Sequence, residues 1–120
     1  MRKLRIVLVE DEPLISVYFA ELLEEMGNEV SAIATTETEA VEAARRLKPD
    51  LLIVDVHLRQ GSGVAAVSRI LKDGFVPHIF TTGDRLIEGE VSRSAIILQK
   101  PFLDLALTNA ITAAMLVKSE

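Results

Sequence analysis

The sequence predicts an α/β fold, a doubly wound parallel sheet of five strands with helices packed on both faces. Two patterns predict it. Short apolar runs alternate along the chain with longer amphipathic stretches, the order produced when each strand returns to a parallel neighbour through a helix. Several runs are also apolar at consecutive positions, as strands covered on both faces are. The 120 residues suit one domain, 1–120, since no linker, repeat or low-complexity segment divides them.

The first run, residues 4–9, stops at Glu10-Asp11-Glu12. Pro13 then suits a first helical position, where its missing N–H costs nothing. Ile15, Phe19, Leu22, Leu23 and Met26 follow at helical spacing until Gly27 ends the helix. A weaker run, Glu29–Ala34, gives the second strand. Thr36 and Glu39 form a capping box for a second helix. It carries Ala40, Val41, Ala44 and Leu47 inward and is closed by Pro49. Residues 51–54 are the third strand, ending at Asp55. Ser62 caps a third helix with Val64, Val67 and Leu71 on one face and Gly74 at its end. Residues 78–81 and 95–98 give the last two strands. Between them, 84–94 carries little apolar stripe in Leu86, Ile87 and Val91, and Gly89 interrupts it. A short or mobile fourth helix is expected there. A final helix runs from about 103 to 117, with Leu103, Leu107, Ala110, Ile111 and Ala114 inward.

Composition narrows the function. With 13 basic against 18 acidic residues the net charge is −5, which argues against non-specific binding to nucleic acid or an anionic membrane. The absence of cysteine removes disulfides, thiolate metal sites and thiol nucleophiles. No apolar run is long enough to span a bilayer. The Met1-Arg2-Lys3 start resembles a signal peptide only faintly, because Arg5 breaks the apolar stretch and Glu10-Asp11 end it. A cytoplasmic domain is expected.

Ligands of open parallel sheets gather beyond the carboxyl ends of the strands. Those ends are Glu10-Asp11, Asp55, Thr81-Thr82-Gly83 and Lys100-Pro101. Each has an ordinary explanation. Acidic residues favour a helix N-terminus, an aspartate starts a turn, a threonine suits a strand, and a lysine before proline is a solvated charge. Their coincidence at the ends of four strands is what these explanations leave over. Two like charges 4 Å apart repel by about 4 kcal/mol at an effective dielectric of 20, so three carboxylates on one rim call for a cation. Oxygen donors suit Mg2+ above all. Held by Asp11, Asp55 and Glu10, it leaves positions for phosphoryl oxygens, with Lys100 and the Thr82 hydroxyl binding the others. Such a set supports phosphoryl transfer onto an aspartate.

Val9-Glu10-Asp11-Glu12-Pro13, Asp55 closing an apolar strand, Thr82-Gly83 and Lys100-Pro101-Phe102 resemble the receiver domain of two-component response regulators, over essentially the whole chain. The resemblance implies the flavodoxin-like strand order 2-1-3-4-5. It implies that Asp55 is the phosphoacceptor, and that Glu10 and Asp11 assist Mg2+ with the His57 backbone carbonyl completing the metal site. Thr82 would move toward the phosphoryl group, Lys100 would pair with it, and the bond before Pro101 would be cis. The donor would be a phosphohistidine on a sensor histidine kinase or a histidine phosphotransfer protein. Such a domain catalyses only its own phosphorylation and dephosphorylation, so "enzyme" is a poor label.

Two departures matter. Where the family commonly has Tyr or Phe three positions before the lysine, this chain has Ile97, which cannot make the usual ring rotation. The segment from Thr82 to Lys100 is also short. With Phe80-Thr81-Thr82-Gly83 these features resemble the "FATGUY" receiver subgroup, often paired with HWE-type kinases, and found stand-alone or joined to an anti-anti-sigma-type output. Switching is then expected to work by ordering 84–94. Extra apolar residues on the final helix, Leu105, Met115, Leu116 and Val117, suggest a dimer face with the fourth helix and fifth strand, or merely exposed leucine. Leu14 and Tyr18 are placed to dock a donor helix, or are filler at a helix edge.

Two other readings compete, an aspartate-nucleophile phosphatase and a phosphorylation-independent module, and the residues speak against a third, an electron carrier. An aspartate-nucleophile phosphatase generally has a second carboxylate two residues after the nucleophile, where this chain has His57. A flavodoxin-like electron carrier needs a hydroxyl-rich phosphate loop where Glu10-Asp11-Glu12 stands. A receiver-like interaction module that works without phosphorylation would leave the reactive positions unused.

Overall fold

The computed structural model describes residues 2–83, 91 and 95–117. Its elements are β1 (Arg5–Val9), α1 (Pro13–Glu25), β2 (Glu29–Ala34), α2 (Glu37–Leu47), β3 (Leu51–Asp55), α3 (Gly63–Leu71), β4 (His78–Thr82), β5 (Ile97–Gln99) and α4 (Asp104–Leu116). The strands are all parallel and lie in the order β2-β1-β3-β4-β5, as expected. The short or mobile helix expected over 84–94 falls outside the described residues, apart from Val91, which is half-buried against the core.

The consecutive apolar positions of the strands have a simple cause. Successive side chains of a strand point to opposite faces, and both faces are covered here. Val7, Val9, Leu52, Val54 and Phe80 pack with Ala40, Val41, Ala44, Ala66, Val67 and Ile70 of α2 and α3. Ile6, Leu8, Leu51, Ile53, Ile79 and Leu98 pack with Phe19, Leu22 and Leu23 of α1 and Leu107, Ala110 and Ala114 of α4. Each fully buried aliphatic side chain contributes about 1.5–3 kcal/mol. β1, β3 and β4, whose residues supply both layers, are the interior strands, and three of the site's strand ends are theirs.

The helix ends follow local chemistry, with some corrections. Pro13 opens α1, and Gly27, at φ +93°, follows it in a conformation costly for other residues. The Thr36 hydroxyl accepts the Glu39 N–H at 3.1 Å. The reciprocal half of the box closes one residue early, because the Glu39 carboxylate takes the N–H and hydroxyl of Thr35. Ser62 caps α3 through the Ala65 N–H at 3.2 Å. The buried face of α3 is Ala66, Val67 and Ile70, with Val64 and Leu71 half-buried at its edges. Ile15 and Leu103 do not face inward. Both lie at helix starts, beyond the reach of the sheet, and are 39% and 81% exposed.

Candidate functional site

Four of the six residues singled out for the site, Glu10, Asp55, Thr82 and Lys100, end a strand or directly follow one, and Asp11 and His57 lie two residues after β1 and β3. Glu10 continues the β1 ladder through its N–H to the Ala34 carbonyl at 2.9 Å, which turns its side chain inward; it is 2% exposed. Asp55 is the last residue of β3, opposite Thr81 of β4, and is also buried. Gly63 presses on it from behind: a Cβ there would lie 1.9 Å from the Asp55 carbonyl oxygen. Thr82, buried at the end of β4, accepts the Lys100 N–H on its carbonyl at 2.8 Å. The Lys100–Pro101 bond is cis. Behind it Phe102 packs on Phe19, with ring centroids 5.1 Å apart.

These placements bring four side chains together. The Lys100 ammonium donates to Glu10 Oε1 at 2.7 Å and to Asp55 Oδ2 at 2.9 Å. Asp55 Oδ1 accepts the His57 N–H at 3.0 Å, and Glu10 Oε2 accepts the Glu12 N–H at 3.1 Å. Glu10, Asp11 and Asp55 each bring a carboxylate oxygen within 4.8 Å of the other two. Asp11 is anchored by the Arg59 N–H at 2.6 Å, while the Arg59 guanidinium pairs closely with Glu12.

Among the described residues the charges at the site are unbalanced. Burial pushes the Glu10 carboxyl above its ordinary range; hydrogen bonds from Lys100 and Glu12 oppose this, and the Asp55 charge adds to it. Burial works to lower the Lys100 ammonium, yet its bonds to Glu10 and Asp55 outweigh that and raise it. Lys100 is therefore held charged, but among the described residues one ammonium faces three carboxylates. The donor set is all oxygen and, among the described residues, short of positive charge, which fits a hard divalent cation.

Two contributors were not foreseen. Arg59 and Glu37 act across loops, Glu37 by taking the Ser62 N–H at 3.0 Å and the Arg69 guanidinium at 3.0 Å. Beside the site, Tyr18 and Ile15 line an open cavity of about 590 Å3 with Phe19, Gly83, Lys100, Pro101 and Phe102, and Leu14 is 86% exposed.

Residues 6–112 match the response regulator receiver domain family. The chain is a receiver domain. Receivers of this family are the phosphoacceptor switches of two-component signalling, and the flavodoxin-like electron-carrier reading gives way to that. The chain is 39% identical over 114 residues to the phyllosphere-induced regulator PhyR of Methylorubrum extorquens, covering 92% of this chain and 43% of that protein. It superposes on the receiver domain of Erythrobacter litoralis PhyR, solved by NMR, with a TM-score of 0.86 at 32% identity, covering 98% of this chain and 94% of that one. On the anti-anti-sigma factor PhyR from Bartonella quintana the TM-score is 0.85 at 33% identity, covering 96% and 48%. This receiver thus spans about half the length of the curated relatives it matches. No helix among the described residues is long and apolar enough to cross a membrane.

Proposed function

We propose that Asp55 accepts a phosphoryl group from a phosphohistidine donor, with Mg2+ held by Glu10, Asp11, Asp55 and the His57 carbonyl. The observation that carries this reading is the bracketing of one buried aspartate by the Lys100 ammonium and the His57 N–H, beside two more carboxylates. Asp55 attacks phosphorus, an O–P bond forms, the P–N bond breaks, and the imidazole leaves with the electron pair and takes a proton from solvent. Mg2+, when bound, shields the attacking carboxylate from the charge of the incoming phosphoryl group. Lys100 and the Thr82 hydroxyl bind the transferred oxygens, which orients the product and biases the β4–β5 edge.

The donor is a sensor histidine kinase or histidine phosphotransfer protein, of HWE type if the subgroup resemblance extends to partners. The exposed Leu14 and Tyr18 beside the cavity support its docking there. Exposed Ile97, Leu105 and Leu116 support self-association through β5 and α4. The domain works in the cytoplasm, on its own or joined to an output of the anti-anti-sigma kind named for the Bartonella relative. It turns over no substrate but its own phosphoryl group. Mass spectrometry after incubation with acetyl phosphate and Mg2+ tests this. One phosphoryl group is expected on wild type and none on Asp55→Asn; an equal adduct on the mutant refutes the assignment, and no adduct on either favours the phosphorylation-independent module.

A further inference from the structure

The loop between β3 and α3 touches the site twice with its backbone. The His57 N–H donates to Asp55 Oδ1 at 3.0 Å and the Arg59 N–H to Asp11 Oδ2 at 2.6 Å. The far end of the same loop is tied twice to one residue outside the site. The Gln60 carbonyl accepts the Glu37 N–H at 3.2 Å, and the Ser62 N–H donates to Glu37 Oε1 at 3.0 Å. Glu37 is itself fixed. It is the first residue of α2, directly after the Thr36 cap, and its second oxygen holds Arg69 of α3 at 3.0 Å. Gly61, between the two ties, has φ +84°, and a Cβ there would stand 2.4 Å from Glu37 Cβ and 2.7 Å from Oε1. The loop is thus pressed against Glu37 with no room for a side chain. The Ser62 N–H, and after it Arg69, lowers the Glu37 carboxyl against burial, so the tie is made by the carboxylate.

We propose that Glu37 is a positioning residue for the phosphoacceptor site: by anchoring Gln60 and Ser62 it holds the loop in the register that places the His57 and Arg59 N–H groups on Asp55 and Asp11. The inference rests on reading Asp55 as the phosphoacceptor and Asp11 as a metal ligand. What matters is reach more than charge. A glutamine keeps the oxygen that takes the Ser62 N–H, whereas an aspartate keeps the charge at the helix start but is one methylene too short.

The test compares Glu37→Gln, Glu37→Asp and Glu37→Ala with wild type, first for Mg2+ affinity by calorimetry and then for the rate of phosphorylation by acetyl phosphate. Supporting groups around a metal site are commonly worth 10–100-fold, and this one acts a step further out. Mg2+ binding is therefore expected to weaken about three- to tenfold in Glu37→Asp and Glu37→Ala. Glu37→Gln should stay within about twofold of wild type by the same reasoning. The His57 and Arg59 amide resonances should shift in Asp and Ala and return in Gln. Equal Mg2+ affinity in all four proteins overturns the proposal. So does a Gln variant as impaired as Ala, which would make charge the operative property. Failure of the functional reading looks different: wild type itself then stays unphosphorylated, while the two amide resonances still report whether Glu37 positions the loop.

Discussion

Replacing Lys100 with methionine removes the ammonium that bridges Glu10 and Asp55 while keeping most of the side-chain bulk. At 2.7 and 2.9 Å each contact carries about 6 kcal/mol of attraction at an effective dielectric of 20. Burial of the three groups cancels much of that, since the Lys100 side chain is only 17% exposed and that of Glu10 only 2%. Removing one partner of such a buried cluster costs about 3 kcal/mol, which for a chain of this size lowers the melting temperature by roughly 12 °C. The assay is thermal unfolding of wild type and Lys100→Met in EDTA and in saturating Mg2+. Because the ammonium and the proposed cation would compete for the same oxygens, Mg2+ is expected to raise the melting temperature further in the mutant than in wild type. A loss in EDTA below about 1 kcal/mol, or an equal Mg2+ effect in both proteins, refutes the view that Lys100 is the resting counter-charge of this cluster.

The other predictions concern the frame around the site. Gly63→Ala forces a Cβ onto the Asp55 carbonyl oxygen; overpacking of this kind costs about 1–3 kcal/mol, and both chemical denaturation and phosphorylation by acetyl phosphate should register it. Acid stability follows from Glu37 and Glu39, whose carboxyls are lowered from 4.5 by backbone N–H bonds from Ser62 and Thr35 respectively. A lowered carboxyl stabilises the fold above its unfolded value and loses that contribution as pH falls through the folded one. Melting temperature should therefore drop on the acid side of 4.5, and the drop should be shallower in Glu39→Gln. Lys100, raised above 10.5, has the opposite sense: its contribution holds below 10.5 and is lost as pH climbs through the raised value.

Much of this arrangement was readable before the structure because it is local or periodic. Strand burial on both faces shows as consecutive apolar residues, and in a parallel sheet that alone fixes which residues stand at the functional rim. Glu10, Asp55, Thr82 and Lys100 were legible for that reason. Thr36 and Ser62 were legible because a cap is set by residues three apart. What was not legible depends on tertiary placement. Nothing in the neighbourhood of Glu37 signals that its carboxylate crosses to Ser62, 25 residues away. Arg59 likewise meets Asp11 through a backbone N–H, which any residue type could supply. Ile15 and Leu103 have the spacing of core positions and miss the core because their helices start before the sheet begins to cover them.

One main-chain contact bears on how this domain can relay a signal with isoleucine where an aromatic ring is usual. Thr82 pairs with β5 opposite Gln99, and its carbonyl holds the Lys100 amide. Thr82 and Lys100, both assigned to the transferred oxygens in the proposed reaction, are therefore yoked through the backbone itself. In the proposed switch a pull on either would pass straight into the short strand that carries Ile97, so the outer edge of the sheet would move as a rod does when one end is lifted.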